Sequence, residues 1–361
     1  MADIAPLHVY YPLLGLRFGS LELAHIDSAC ALLKPYPDEW RYLCKSDVWY
    51  EVVNSGKDWV FDEHNIPPCL HLHAEYKPDV PFGEDYAFRQ AMQFFDHSRA
   101  RKYVLMLQLY KSGWFFNPFF YQITFSGDQG KYGRQTGPYR QIDIGQHTMF
   151  MPARYEIGVE DLIHPGKQKR EAPITKVEKL VNSYFNTAGN TSCDYCIHSF
   201  GQSYSLFLPY AQKCSYLFTA LDVMFGGMSS TELYGTQLRT RFIKRVTQWY
   251  MHAAHADADL QWLDDGTIGG RFIRNNVAHG NAEAVEQLSK ENYVRLQDVL
   301  RELLKVFLSF FVQYHDEPQL FKTTNTADGK SPVELFNIVA EQCIEGQEEA
   351  IIQRNAVLAK C

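Results

Sequence analysis

The chain has no run of about eighteen or more uninterrupted apolar residues, and the segment Met1 to Phe18 lacks a basic stretch followed by an apolar one. Neither a membrane span nor a secretory leader is expected, and a cytoplasmic location is. No Gly-x-x-x-x-Gly-Lys-Ser/Thr, Gly-x-Gly-x-x-Gly or His-Glu-x-x-His pattern occurs, so kinase, dehydrogenase and zincin chemistry drop out. Positive charge is also short: 35 Lys and Arg against 42 Asp and Glu leave a net charge of -7. A bulk electrostatic grip on nucleic acid or anionic membrane is excluded, and a polyanion must meet a local basic surface instead. Cys193-Asp194-Tyr195-Cys196, with His198 nearby, is half of a zinc spacing, but no second Cys-x-x-Cys completes it. The eight cysteines are irregularly placed and are expected to be free thiols in a reducing compartment. Internal repeats and low-complexity tracts are absent.

What is present suits a folded protein of two domains. At 361 residues the chain exceeds the size at which single cores stop growing, and 14% aromatic residues give those cores bulk. Residues 1–163 read as an α+β domain: Val48–Val53, Tyr103–Tyr110 and Phe119–Phe125 look like strands between turn residues, and Tyr86–Ala100 looks like a helix. The polar, basic, proline-bracketed segment His164–Pro173 reads as the connection. From 174 to 316 the period changes from two to 3.6, and an all-α helical bundle is expected. Its helices are placed at Thr175–Phe185, opened by a Thr175/Glu178 capping box, then from near Ser205 to Gly226, from Glu232 to His252, around residue 275, and from Ser289 to Tyr314. Residues 317–361 are a loop and one final helix, started by Ser331-Pro332-Val333-Glu334 and running towards Cys361. Its Glu341, Glu345, Glu348 and Glu349 read as a solvated face.

Chemistry concentrates in Arg274-Asn275-Asn276-Val277-Ala278-His279-Gly280. Arg-Asn followed by His five residues after the Arg is expected by chance about 0.02 times in such a chain. On a helix Asn275 and His279 share a face, while Arg274 lies about 140° round the axis from His279 and needs its length to reach the same ligand. A guanidinium matches phosphate and an imidazole exchanges protons near neutrality, so the group suits a phosphodiester. RNA cleavage needs a base for the 2′-hydroxyl, an acid for the leaving oxygen and positive charge on the phosphoryl oxygens, with no metal or other cofactor. One imidazole cannot serve as acid and base together, so a twofold partner would supply the second. Gly280 is expected to end the helix in the left-handed region. The plainer alternative is a helix end whose polar residues only face water.

The text from about Tyr204 to Tyr314 resembles the HEPN superfamily of helical-bundle ribonucleases, and more narrowly its ApeA-like branch. The signature there is Arg, a polar residue that is usually Asn, and His four to six positions after the Arg, often Arg-Asn-x-x-Ala-His-Gly; residues 274–280 match each defined position. Upstream, Leu217 to Gly226 is similar to the helix ending in a Leu-Phe-Gly type phrase, and a basic helix follows. The resemblance implies a HEPN-like, homodimeric, metal-independent endoribonuclease of antiviral defence or a toxin module, with Arg274 and His279 catalytic and Asn275 positioning them. An antitoxin or trigger ligand would control it. Candidate RNA contacts are Arg239, Arg241, Lys244 and Arg245 on the preceding helix, Arg271 beside the motif, and Lys131, Arg134 and Arg140 in a loop that mixes cations with aromatics. Four aspartates between Ala256 and Asp265 precede the motif and are expected to repel RNA or regulate its access. Cys69, His71 and His73, on one face of a strand, form a weaker metal candidate. The alternative function is a non-catalytic HEPN-like module for dimerisation or nucleotide binding.

Overall fold

The computed structural model describes residues 5–13, 16–18, 23–27, 30–33, 69–76, 98–113, 115, 120–125, 131–134, 155–157, 173–187, 191–204, 208, 210–225, 236–251, 254–281, 290–321 and 330–361. The chain divides into two compact units, Met1–Val104 with Gly113–Thr175, and Leu105–Ser112 with Lys176–Cys361.

In the first unit, strand β1 (Ala5–Pro12) runs antiparallel to β5 (Cys69–Tyr76) on one side and to β6 (Phe120–Phe125) on the other. Its pairing with β6 spans only Leu7 to Tyr10, so Pro6 and Pro12 fall outside that ladder and withhold no donor from it. Strands β3 (Leu23–Asp27) and β4 (Cys30–Leu33) extend the sheet beyond β5, and β7 (Lys131–Arg134) extends it beyond β6. Short β2 (Leu16–Phe18) and β8 (Tyr155–Ile157) pair separately and in parallel. Leu70 and Leu72 are fully buried, so the alternating face of β5 that carries them is the core face. The strand expected at Phe119–Phe125 is β6; the one expected at Val48–Val53 lies outside the described residues, as does most of the helix expected at Tyr86–Ala100.

Tyr103–Tyr110 is not a strand. It forms most of helix α1 (Ser98–Tyr110), with Tyr103, Leu105, Met106, Leu107, Gln108 and Leu109 all buried. Leu, Met and Gln favour helix over sheet, and a helix buried on most of its circumference shows no polar stripe from which its period can be read. Its second half belongs to the helical unit.

The described part of the second unit is a helical bundle. Its helices are α2 (Pro173–Asn186), α3 (Thr191–Ser203), α4 (Tyr210–Met224), α5 (Thr236–Trp249), α6 (Ala256–Asp264), α7 (Gly270–Ala278), α8 (Lys290–Asp316), a 3-10 turn (Pro318–Phe321), α9 (Pro332–Ile344) and α10 (Glu348–Lys360). Helix α2 opens at Pro173 rather than at a Thr175 cap, because proline at the first position gives up an N–H that no helix bond needs. Helix α8 is the axis: Tyr293, Leu296, Leu300, Leu303, Leu304, Phe307 and Phe311 are buried as their spacing requires, and it packs against α3, α4, α9 and α10. Trp249 of α5 stacks on Phe336 of α9 at 4.3 Å and 8°, donating its indole N–H to the Phe336 carbonyl at 3.3 Å. Phe307 and Phe310 meet Phe336 edge-on at 5.0 and 5.2 Å. Such pairs add about 0.5–1.5 kcal/mol each beyond their buried area.

The expected final helix is two helices. Ser331 and Glu334 do form a capping box at the start of α9, but Gly346 adopts φ +78° and stops it. The N–H of Gly346 donates to the Cys343 carbonyl and that of Gln347 to Gln342, a Schellman turn.

One cluster of polar groups in this core is tied down. The buried Arg301 donates to the Gln108 carbonyl at 2.7 Å, to the Tyr204 hydroxyl at 3.1 Å and to Asp298, which also accepts from Ser112 at 2.6 Å. Lys213 differs, being only 4% exposed on α4, and burial pulls its ammonium down to about 8 from 10.5. The folded value lies below the unfolded one, so the cost of the buried charge is fully present below about pH 8 and fades as pH rises towards the unfolded value. Lys213→Met should therefore raise the thermal midpoint by several degrees at pH 7. Melting curves from pH 7 to 10 should show the advantage shrinking; a constant gap would mean the charge is not its source.

Candidate functional site

The motif helix is placed by the turn before it. Asp265 follows α6, and its carboxylate accepts from the Thr267 hydroxyl at 2.6 Å, the Thr267 N–H at 2.7 Å and the Ile268 N–H at 3.4 Å. The bonds from Thr267 hold the Asp265 carboxyl below its ordinary range. Gly269 and Gly270 then start α7 hard against α6. A Cβ on Gly269 would stand 2.0 Å from the Trp262 carbonyl oxygen, and one on Gly270 would stand 2.8 Å from the Leu263 side chain. Only glycine lets the backbones approach this closely.

Helix α6 is itself anchored. Asp259 accepts from the Tyr250 hydroxyl at 2.9 Å and from Arg295 Nε at 2.7 Å, and the Arg295 guanidinium lies 5.1 Å from the centre of the Trp262 ring. Burial, and then the bond to Asp259, push the Tyr250 hydroxyl upwards. The four aspartates expected to screen the motif are thus not a uniform acidic shield: Asp259 and Asp265 build the support of α7, and Asp257 is exposed.

At the other end α7 closes as expected from Gly280, which has φ +67°. The Gly280 N–H donates to the Val277 carbonyl at 3.2 Å and the Asn281 N–H to Asn276 at 2.9 Å. Asn276 spends its amide on the Phe272 carbonyl at 2.8 Å and on Asn281 at 3.0 Å. His279 is the C-cap residue, its N–H still bonded to the Asn275 carbonyl at 3.0 Å, and both the His279 and Asn275 side chains are exposed.

Arg274 points the other way, towards α4. Its Nη2 donates to Oδ2 of Asp222 at 3.3 Å, with 30% of the Arg274 side chain and 32% of the Asp222 side chain still exposed. Burial pushes the Asp222 carboxyl up, and Arg274 offsets part of that. Asp222 lies inside the Leu217–Gly226 phrase, yet only the fold reveals its pairing, 52 positions away from Arg274.

The candidate phosphate contacts separate. Arg241 and Arg245 both donate through Nε to Oε1 of Glu341 at 2.5 Å, and Arg245 also holds the Phe225 carbonyl at 2.9 Å. Glu341 is therefore no part of a solvated face, although Glu345, Glu348 and Glu349 are exposed. Lys244 is exposed, and Arg271 lies over Gly266. The side chain of Arg239 and all of Arg140 lie outside the described residues; Lys131 and Arg134 are the ends of β7, in the first unit.

Cys193 and Cys196 are buried on α3, and burial pushes both thiols up, which suits packing rather than ligation. His71 of β5 is half-buried, and the side chains of Cys69 and His73 lie outside the described residues; among the described residues no group of three His, Cys, Asp or Glu is placed to hold a metal ion. No helix among them is long and apolar enough to cross a membrane. Compared with protein-family models, curated proteins and solved structures, the chain matches none.

Two consequences can be measured. Gly269→Ala should cost about 3 kcal/mol or more, because backbone must move, whereas Gly280→Ala, with nothing within 4 Å of its added Cβ, should cost only the left-handed strain of about 1–2 kcal/mol. Equal losses in denaturant titrations would show that α7 is not seated by close approach. At Glu341, burial raises the carboxyl, but the bonds from Arg241 and Arg245 outweigh it and hold it below its ordinary 4.5. The stabilisation is present above that value and lost as pH falls through the depressed one. Glu341→Gln should thus lower the thermal midpoint by a few degrees at pH 7, and the gap should shrink as pH falls below the ordinary 4.5.

Proposed function

We propose that the chain is a metal-independent endoribonuclease of the HEPN superfamily, in its ApeA-like branch, with an active site completed by a second copy of the chain. One observation carries the reading. The C-cap of α7 leaves the His279 imidazole and the Asn275 amide in solvent, and Arg274, five residues before His279, keeps an accessible guanidinium that is bonded through a single nitrogen.

In this reading His279 moves the protons: one imidazole takes the 2′-hydroxyl proton and its twofold mate protonates the leaving 5′-oxygen. Arg274 meets the charge that grows on the phosphoryl oxygens, and Asn275, on the same helix face as His279, orients the pair. Attack by the 2′-oxygen breaks the phosphorus–5′-oxygen bond, so the products carry a 2′,3′-cyclic phosphate and a free 5′-hydroxyl. Lys244 and Arg271 are the remaining phosphate contacts in the helical unit, and the first unit, with Lys131, Arg134 and Arg140, serves RNA recognition or the sensing of a trigger. A defence or toxin role, restrained by an antitoxin or by the absence of that trigger, goes with this assignment.

End-labelled single-stranded RNA incubated with the purified chain in EDTA should yield fragments ending in cyclic phosphate. His279→Ala and Arg274→Ala should each slow cleavage by about 100-fold or more without changing oligomer size or melting. Cleavage that persists undiminished in His279→Ala ends the nuclease reading. A stable dimer that never cuts, with an Arg274→Ala variant that merely melts earlier, would leave the bundle as a dimerisation module.

A further inference from the structure

We infer that Asp222 is a positioning residue for Arg274, holding one nitrogen of the guanidinium so that the others are presented to an RNA phosphate. The inference rests on the proposed nuclease function and adds to it a residue outside the motif.

The geometry is that of a tether, not of a closed pair. A guanidinium has five N–H donors and pairs most strongly with a carboxylate through two parallel bonds. Here the contact is a single Nη2–Oδ2 bond at 3.3 Å, and Nε and Nη1 of Arg274 have no partner among the described residues. The two side chains come from α7 and α4, which pack together, so the carboxylate is fixed to a different helix from the one it orients. About a third of each side chain is exposed, which puts the pair where a ligand in solvent can reach it. Arginine is long, and without such a tether its charge would sweep a volume far wider than one phosphoryl oxygen; a misplacement of about 1 Å costs roughly 100-fold in rate at a reacting centre.

Asp222 also carries a negative charge next to the place where the phosphate arrives. It must weaken the binding of RNA while it improves its alignment. Removing it has opposite effects on affinity and turnover, and a merely structural carboxylate does not produce that pair of signs.

The experiment uses the full chain and a fluorescently labelled, mixed-sequence single-stranded RNA. Binding is read by anisotropy in the His279→Ala background, where RNA survives, and turnover at saturating RNA in the otherwise wild-type chain. Asp222→Asn should tighten binding about threefold and slow turnover about tenfold, with Asp222→Glu recovering part of the rate and melting little changed. Unchanged or weaker binding, or a rate loss that only follows a drop in melting temperature, overturns the inference. So does Arg274→Ala that binds RNA as well as its parent, since the tethered group would then meet no phosphate. Where Asp222→Asn does not fold, Asp222→Glu decides, because it keeps the charge and moves it; full turnover there overturns the tether. If the wild-type chain binds RNA without cutting it, the nuclease reading falls, and the binding arm alone still decides whether Asp222 opposes the phosphate.

Discussion

Two adjacent glycines decide where the motif helix can be. Gly269 and Gly270 bring the start of α7 so near the end of α6 that a carbonyl oxygen occupies the space a Cβ would need. Contact between backbones leaves almost no rotational freedom, unlike contact between side chains, which can repack. The direction of α7 is therefore inherited from α6, and α6 is in turn fixed to α8 and α5 through Asp259, Arg295 and Tyr250. From that constraint follow two features on which the proposed chemistry rests: Arg274 faces α4 and reaches Asp222, and the last turn of α7, with His279, ends in water.

The charges around this helix are mostly spent inside the fold. Arg241 and Arg245 neutralise Glu341, Arg295 neutralises Asp259, and Arg301 bridges a helix carbonyl, a phenol and Asp298. Their bonds engage Arg241 and Arg245 of α5 within the fold, while Lys244 on the same helix stays exposed. Polyanion affinity scales with the number of phosphates neutralised.

Much of the bundle was legible in the residues. The apolar stripe of α8 is regular because one face meets the core all along its length, and Ser331-Pro332-Val333-Glu334 and Gly280 carry local chemistry that needs no tertiary context. Where the reading missed, the reasons are specific. The Tyr103–Tyr110 run has no polar face because both sides of the helix are buried. Helix α3 hid behind Cys193 and Cys196, whose spacing suggests a zinc half-site but is also that of two small core residues one turn apart. Helix α6 looked like an acidic insert, since the aspartates that make it polar are the groups that anchor it. Asp222 and Glu341 could not be read at all, because their partners lie on other helices and ion pairing between distant positions leaves no local pattern.

The end of α7 also separates what the fold needs from what the proposed chemistry would use. Helix α9 closes in the same way: Glu345 caps it with near-helical φ and ψ, Gly346 turns left-handed, and the same pair of backbone bonds seals the last turn. Among the described residues the Schellman turn thus occurs with an exposed glutamate at one cap and an exposed histidine at another. Ending a helix requires only the glycine. The folded backbone is satisfied by either cap residue, so an imidazole in that place owes nothing to helix termination.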